Sequence, residues 1–263
     1  MNPFKYHRAE NLQRAKDQQN LDENAKYLAG GMTLLPAMKH GLIQPSQLID
    51  ISAIVELGEI QVDAVSVTIG AATKHDRVAT SSLVQKEIPG LTYLASQIGD
   101  AQVRVRGTLG GSLANNDPAA DYPAAALALK GQIITDRRTI EAEDFFTGFY
   151  ATALDDGEII RKVRFIKPVQ SAYAKFKQAA SGYALAGVFV ALYPNQEVRV
   201  AVTGVGQGVF RWLAAEKHYF DSSQAIDLPL ENLITDLHAT SKYRAHLAKV
   251  LFNRAATQIK QYT

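Results

Sequence analysis

The sequence predicts an α+β fold in three lobes, and two patterns carry that prediction. Short segments in which apolar and polar residues alternate, such as "EIIRKVRFIKP", are typical of strands. An alanine-rich segment over roughly residues 121–130 and the tail from about residue 229 have helical spacing instead. A chain of 263 residues can form one large domain or two or three small lobes that share a core.

The N-terminal third predicts helix and strand in turn. Residues 10–24 are polar and predict an exposed helix, and "AKYLAGG" predicts a short strand that runs into a turn. Thr33 stands at the N-cap position of a short helix, "LLPAMKHG", which ends at Gly41. The segment at 59–71, "EIQVDAVSVTIGA", predicts one or two strands.

The rest of the chain continues the alternation. Residues 73–99 predict mainly helix with an interruption near Pro89, and a polar stretch with a glycine pair follows. After the helix over 121–130 come the strand signals "QIITD", "RTIEAEDFF" and "EIIRKVRFIKP". We predict a lobe boundary at Pro168 to Ser171. Beyond it, "YAKFKQAA" and "LAGVFVALYPNQEVRVAVTGVG" predict antiparallel strands ahead of the helical tail.

Composition excludes several classes of function. The net charge of +2 gives no excess of charge for nucleic acid or an anionic membrane. No apolar run has membrane-spanning length and the start is polar, so we expect a cytoplasmic protein without an integral membrane segment. The absence of cysteine excludes disulfides, cysteine-ligated zinc and iron–sulfur clusters held by this chain. The six histidines are scattered, so no metal ligand is predicted.

Two double glycines are the most informative features. They lie in "YLAGGMTLLPAMK" (27–39) and "RVRGTLGGSLANNDPAADYPAA" (104–125), each ahead of a helix-like segment. A glycine pair lets successive backbone N–H groups approach phosphate oxygens, and the hydroxyls of Thr33, Thr108 and Ser112 add donors. Neither segment fits a Gly-Lys-Ser/Thr P-loop or the G-x-G-x-x-G fingerprint. Each alone is compatible with a tight turn, but together they predict a dinucleotide clamped between lobes at its diphosphate.

These stretches resemble a known family. "AGGMTLLPAMK", "RGTLGGSLANNDPAADYPAAALAL" and "YAKFKQAASGYALAGVFVAL" are similar to signature stretches of the FAD-binding medium subunit of molybdenum hydroxylases, especially the carbon monoxide dehydrogenase type. "RVAVTGVGQGVFR" and "LHATSKYRAHLAKVLFNRA" resemble the C-terminal lobe of that subgroup. The resemblance implies an FAD-binding domain of the vanillyl-alcohol oxidase type at 1–168, with subdomains at about 1–55 and 56–168. A small α+β domain at 169–263 follows.

The resemblance also implies noncovalent FAD and a set of contact residues. Asp121 is either an FAD contact or the N-cap of the next helix. Lys177 either faces the flavin or is a solvated strand lysine. Tyr183 either lies beside the isoalloxazine or packs in the core. Ile98 is a weaker apolar candidate, and a contact by Asn115–Asn116 stays open. The implied contacts are Ala29, Gly30, Gly31, Met32, Thr33, Leu34, Thr108, Gly110, Gly111, Ser112, Asp121, Ile160, Lys177 and Tyr183.

The implied function is electron transfer inside a hetero-oligomer. A small subunit would hold the [2Fe–2S] clusters, a large subunit the molybdenum cofactor, and this chain would pass electrons through FAD to an external acceptor. The lack of cysteine fits that division, because the clusters then need another chain. Two alternatives stay open: a self-contained FAD-dependent oxidase and a non-enzymatic FAD-binding module. For the oxidase, the chain has only about ninety residues after residue 170 from which to form a substrate domain.

Overall fold

The N-terminal lobe is built on a three-stranded parallel sheet. The structure, a computed structural model, describes residues 2–260, so residues 1 and 261–263 at the ends of the predicted domains lie outside it. The elements are β1 (Lys5–Arg8), α1 (Leu12–Asn20), β2 (Ala25–Leu28), α2 (Leu34–Lys39) and β3 (Gln47–Asp50). Strand β3 lies between β1 and β2. Helix α1 was predicted to be exposed, but most of its residues are half-buried and Ala15 is buried. Its N-cap is Asn11, whose side chain accepts a hydrogen bond from the Arg14 N–H.

The central lobe inserts helices into an antiparallel sheet. Its elements are β4 (Ile60–Val62), β5 (Ser66–Gly70), α3 (His75–Ala79), α4 (Ser82–Glu87), α5 (Pro89–Ser96), α6 (Ala101–Arg106), α7 (Leu109–Asn115), α8 (Tyr122–Ala128), β6 (Gln132–Thr135), β7 (Thr139–Glu141), α9 (Ala142–Phe145), β8 (Phe146–Gly148), β9 (Ala151–Thr152) and β10 (Ile160–Ile166). The sheet order is β4-β5-β10-β6-β7, and β8 pairs with β9 in a separate hairpin. A 3₁₀ turn at Val55–Gly58 connects this lobe to the first.

The helices after β5 differ from the prediction. The helix expected over 73–99 is three short helices, because the Ser81 side chain accepts from the Val84 N–H to start α4 and Pro89 occupies the first turn of α5. Helix α6 was not predicted; its N-cap is Asp100, whose carboxylate accepts from the Val103 N–H at 2.8 Å. The alanine-rich helix α8 is confirmed, and all seven of its residues are buried.

The C-terminal lobe is a four-stranded antiparallel sheet covered by helices. Its elements are β11 (Gln170–Lys177), β12 (Ala184–Tyr193), β13 (Glu197–Thr203), β14 (Phe210–Arg211), α10 (Leu213–Phe220), a 3₁₀ turn (Leu230–Asn232) and α11 (Ser241–Lys260). Asn195 and Gln196 have φ of 61° and 58°, which suits the tight hairpin predicted between β12 and β13. The tail helix begins at residue 241 rather than 229, since the Thr240 hydroxyl accepts from the Tyr243 N–H at 3.2 Å as its cap.

One sheet of the C-terminal lobe faces two cores. Tyr173 and Phe189 on one side pack with the central lobe, whereas Val188 and Val200 on the other side pack with Leu251 of α11. The overall architecture is therefore α+β, as expected. We propose the domain boundary at 168/169, directly before β11; because β11 also packs on the central helices, it can carry side chains toward the junction of the lobes.

Candidate functional site

A cleft of about 430 Å³ lies where the three lobes meet. We call this cavity the interlobe cleft. Most of its wall is formed by residues from four stretches: 26–34, 98–103, 107–121 and 181–183. Two glycine-containing segments predicted to cooperate thus border one cavity. Eleven predicted site residues line it: Ala29, Gly30, Gly31, Met32, Thr33, Leu34, Thr108, Gly111, Ser112, Asp121 and Tyr183.

The first glycine loop, residues 29–33, presents backbone donors. Gly31 has φ +72°, a value that glycine adopts without strain. Within residues 2–260, the N–H groups of residues 30–34 donate to no protein acceptor. Thr33 occupies the N-cap position of α2, but its side chain makes no capping hydrogen bond, so the predicted cap is wrong in that respect. The loop therefore offers a row of unpaired N–H groups and an uncommitted hydroxyl.

The first loop contacts the backbone at residues 106–107, immediately before the second glycine pair. A Cβ at Gly30 would lie 2.4 Å from the Arg106 carbonyl oxygen and 2.7 Å from the Gly107 Cα. Both are backbone atoms, so they cannot rotate away as a side chain could. Gly30 is required for this contact, which brings the N-terminal and central lobes together at the cleft.

The second glycine segment, residues 108–112, differs from the predicted loop. Gly110 and Gly111 lie in the first turns of α7, whose N-cap Thr108 accepts from the Gly111 N–H at 3.2 Å. The Leu109 and Gly110 N–H groups donate to carbonyls of the central lobe, at 3.0 and 2.8 Å. The expectation of a second N–H nest is therefore wrong. This segment contributes a bare Gly111 and the nearby Ser112 hydroxyl to the cleft.

Asp121 lines the cleft but does not cap α8. Its side chain makes no capping hydrogen bond, so that alternative is wrong. Instead, one carboxylate oxygen accepts from the Tyr173 hydroxyl at 2.5 Å and the other from Lys175 Nζ at 2.8 Å. The residue is 4% exposed, and burial raises the pKa of its carboxyl while Lys175 lowers it. The cleft thus has a buried carboxylate held by two donors on β11.

Three predicted contacts lie outside the interlobe cleft. Gly110 and Ile160 line a smaller cavity of about 130 Å³, which Gly111 also borders. Lys177 is exposed and lines neither cavity, whereas the Lys175 side chain, two residues earlier, is 2% exposed. The sequence pattern missed Lys175 because the two lysines are two residues apart on β11, and alternation alone does not show which of them is buried.

Aromatic and apolar side chains also line the interlobe cleft. Tyr183 lines it and is 43% exposed, so its ring is not part of the core. Burial of the hydroxyl, with Asp117 and Asp121 nearby, raises its pKa. Ile98 also lines the cleft, as the weaker prediction had it.

His75 is a cleft residue that sequence reasoning did not select. It is 4% exposed, and its Nδ1 has no hydrogen-bond partner within residues 2–260. Burial, with a smaller contribution from Arg104, lowers the pKa of its imidazole to about 4. Its ring contacts Tyr122, with centroids 5.3 Å apart. A histidine among scattered histidines gives no local signal, since its burial depends on the tertiary contacts.

The asparagine whose role was left open is structural. Asn116 is buried with φ 44°, and its Nδ2 donates to the carbonyls of Gly148 and Ala151 at 2.9 and 2.7 Å. It therefore holds the β8–β9 hairpin against α7. Its neighbour Asn115 lines the cleft.

The described part of the chain offers no metal centre. Within residues 2–260, no group of three or more histidine, cysteine, aspartate or glutamate side chains is placed to hold a metal ion. None of the helices in that range is both long and apolar enough to cross a bilayer. The chemistry that the cleft supports is recognition of a ligand rich in acceptor oxygens by N–H and O–H donors.

Comparison with known sequences identifies similar chains. Residues 2–167 match a family described as the FAD binding domain in molybdopterin dehydrogenase. The carbon monoxide dehydrogenase medium chain of Hydrogenophaga pseudoflava is 37% identical over 202 residues, which cover 73% of this chain and 70% of that protein. The glyceraldehyde dehydrogenase medium chain of Sulfolobus acidocaldarius is 30% identical over 275 residues, covering 97% of this chain and 98% of that one.

Solved structures agree with the sequence matches. A chain of the Hydrogenophaga pseudoflava carbon monoxide dehydrogenase that lacks the Mo-pyranopterin moiety superposes with a TM-score of 0.87 at 31% identity, and the match covers 99% of each chain. A chain of quinoline 2-oxidoreductase from Pseudomonas putida 86 gives a TM-score of 0.89 at 26% identity, covering 99% of this chain and 98% of the other. The similarity thus extends over all three lobes.

Proposed function

Because the chain belongs to the FAD-binding medium subunits of the molybdenum hydroxylase family, we propose that it carries electrons from the [2Fe–2S] clusters of a small partner subunit to an external acceptor. A large subunit with the molybdenum cofactor would oxidise the substrate. Bound FAD supplies redox chemistry that amino-acid side chains lack. This chain's own residues bind the cofactor and orient its ring, and its lack of cysteine leaves the clusters to the partner.

The row of unpaired N–H groups at residues 30–34 is the observation that carries this proposal. A diphosphate presents acceptor oxygens and no donor, so it complements a backbone segment that presents donors and no acceptor. We propose that the first glycine loop holds the diphosphate of FAD and that the hydroxyls of Thr33 and Ser112 add hydrogen bonds. Gly111, without a side chain, would let the diphosphate approach α7 closely.

The remaining cleft residues fit the two ends of a dinucleotide. Ile98, Asp121 and Tyr183 border one region of the interlobe cleft and would hold the isoalloxazine by apolar, polar and aromatic contacts. The smaller cavity, which Ile160 lines and which shares Gly111 with the cleft, would receive the adenosine end of FAD. Lys177 is outside both cavities, so it is not part of this proposed contact set.

Replacing Gly111 by Val tests the proposed clamp. A Cβ at this position would come within 2.8 Å of the Thr108 Oγ1 atom, so that hydroxyl must rotate aside, but no backbone atom outside α7 lies in the way. The variant should therefore fold while its side chain fills the approach to the loop. We expect FAD affinity to fall by at least about tenfold, measured by fluorescence titration of the flavin-depleted chain. Gly208 is the matched control, because a Cβ there meets nothing within 4 Å. A folded Gly111→Val variant that binds FAD as tightly as the unaltered chain contradicts the clamp.

Isolation of the native assembly tests the proposed place in electron transfer. A tagged full chain expressed in its own organism should be purified together with iron, molybdenum and flavin, and reduction of the iron–sulfur centres should be followed by bleaching of flavin absorbance. A chain that is obtained without iron or molybdenum under native conditions, and that oxidises a small molecule unaided, would instead favour the self-contained oxidase.

A further inference from the structure

A buried network on β11 holds the carboxylate that lines the interlobe cleft. Tyr173 and Lys175 alternate along the strand, so both side chains project from one face and reach Asp121 together. The Tyr173 hydroxyl passes over Gly187, where a Cβ would come within 2.3 Å of it. Glycine on the neighbouring strand is therefore required for the Tyr173–Asp121 hydrogen bond. We call Asp121, Tyr173 and Lys175 the carboxylate network.

Lys175 joins two walls of the cleft without lining it. Its side chain is 2% exposed, and Nζ donates to Asp121 at 2.8 Å and to the carbonyl oxygen of Gln97 at 3.1 Å. Gln97 immediately precedes Ile98 and Gly99, which border the cleft. An ammonium taken out of water in this way is costly unless it is paired, and Asp121 supplies the pairing charge.

The titratable groups that face this network come from several elements. The phenols of Tyr122 and Tyr183 face Asp121, and their pKa values are raised, mainly by burial. Lys177 is a second cation near both members of the pair. Three further titratable groups face those phenols from neighbouring elements: Tyr93 near Tyr173, Asp117 near Tyr183, and His75, whose pKa is about 4, near Tyr122.

We propose that Lys175 is a positioning residue that keeps Asp121 ionised and fixed as an acceptor for a hydroxyl or ring N–H group of bound FAD. An ionised carboxylate only accepts hydrogen bonds, so it selects the donor groups of the ribityl chain or of the isoalloxazine edge. With Tyr173 and Lys175 on one side, each carboxylate oxygen keeps capacity for one more bond toward the cleft. This inference rests on the proposed FAD-binding function and adds a residue that does not touch the cofactor.

Replacing Lys175 by Met tests the inference through the pH dependence of FAD affinity. Without the cation, the pKa of the buried Asp121 carboxyl rises further, since Lys175 is the group that opposes the effect of burial. Below that raised pKa the carboxyl is protonated and loses its role as acceptor. We expect the Kd of Lys175→Met for FAD to weaken by about tenfold for each unit that pH falls below that pKa, and we expect the same step in the unaltered chain to lie at a lower pH.

Lys177→Met is the matched comparison, because it removes a cation from the same strand but from an exposed position. We expect Lys177→Met to move the step to higher pH by much less than Lys175→Met does, because Lys177 makes the smaller contribution to the pKa of Asp121. A shift in Lys177→Met as large as that in Lys175→Met, or a pH-independent Kd in a folded Lys175→Met, would overturn the proposal. If the unaltered chain itself fails to bind FAD at any pH, the proposed function fails. That result is distinct from a Lys175→Met variant whose Kd shows no pH-dependent step.

A double variant keeps the proposal testable if Lys175→Met does not fold. Asp121→Asn together with Lys175→Met removes both buried charges, so no unpaired ion remains in the interior. We expect this variant to fold and to bind FAD more weakly than the unaltered chain, by at least about tenfold, with a Kd that does not change with pH. Affinity equal to that of the unaltered chain would show that the Asp121 carboxylate is not an acceptor for FAD and would overturn the proposal.

Discussion

Acidification should destabilise this fold through one buried histidine. His75 lies at the start of α3, is 4% exposed, and has its Nδ1 without a hydrogen-bond partner within the described residues. Protonation would place a cation in this buried site next to Tyr122 and near Arg104, which is itself a cation. The folded chain therefore favours the neutral imidazole.

The magnitude follows from the two pKa values of the same group. The pKa of His75 is about 4 in the folded chain, against an ordinary value of 6.5. Between these values the unfolded chain binds more protons than the folded chain, so the free energy of unfolding rises as pH rises through this window and falls as pH drops. A gap of this size corresponds to roughly 3 kcal/mol, a large share of the 5–15 kcal/mol that typically stabilises a protein.

Urea unfolding of the flavin-depleted chain and of His75→Asn measures this contribution. Asparagine does not titrate, so the difference between the two free energies of unfolding isolates the histidine and cancels the other acidic groups. We expect the advantage of the unaltered chain over His75→Asn to shrink by roughly 2–3 kcal/mol between pH 7.5 and 4.5. A difference that stays constant over that range would refute the reasoning, because it would mean that His75 titrates alike in both states.

Two further substitutions test contacts around the cleft. Gly30→Ala should lower the free energy of unfolding by about 1–3 kcal/mol and weaken FAD binding, because its Cβ would meet the backbone at Arg106 and Gly107. Thermal denaturation measures the loss of stability, and flavin titration measures the loss of affinity. The control Gly208→Ala should change neither stability nor affinity. Asn116→Ala should cost about 2 kcal/mol, since it loses two hydrogen bonds to the β8–β9 hairpin and forces alanine to φ 44°. Amide hydrogen exchange of residues 146–152 should accelerate; unchanged exchange there would contradict the anchoring role.

Elements with a strong local period could be predicted from the sequence. The strands at 160–166, 184–193 and 197–203 have alternating or continuously apolar residues. The turn between the last two strands contains Asn195, which adopts a positive φ. Local pattern and tertiary structure therefore agree in these strands. The buried helix α8 was predicted for the same reason, because alanine favours helix and fits a crowded core. The boundaries of α11 and the division of 73–99 depended on single caps, which are weaker signals.

The second glycine segment shows where local reasoning fails. Two glycines in a polar stretch favour a loop, since glycine is unfavourable inside helices. Gly110 nevertheless lies in α7, and a Cβ there would lie 2.5 Å from the Cβ of Ala71, so only glycine fits. Ala71 follows β5 and is far away in sequence. The glycine therefore serves close packing of helix on strand, a cause that no window of neighbouring residues contains.

The same limit explains why the two glycine segments have different chemistry. The shared double-glycine motif predicted two equivalent nests of N–H groups. The N–H groups of Leu109, Gly110 and Gly111, however, all donate to protein acceptors, so these residues of α7 have no free donor. The first loop keeps its donors because its contact with residues 106–107 is steric and consumes no N–H group. A diphosphate bound between the segments would therefore be held by hydrogen bonds from one side and admitted by the missing side chain of Gly111 on the other. Substitutions in the two segments should then differ in kind: those in the first loop remove binding energy, whereas those at Gly111 block access.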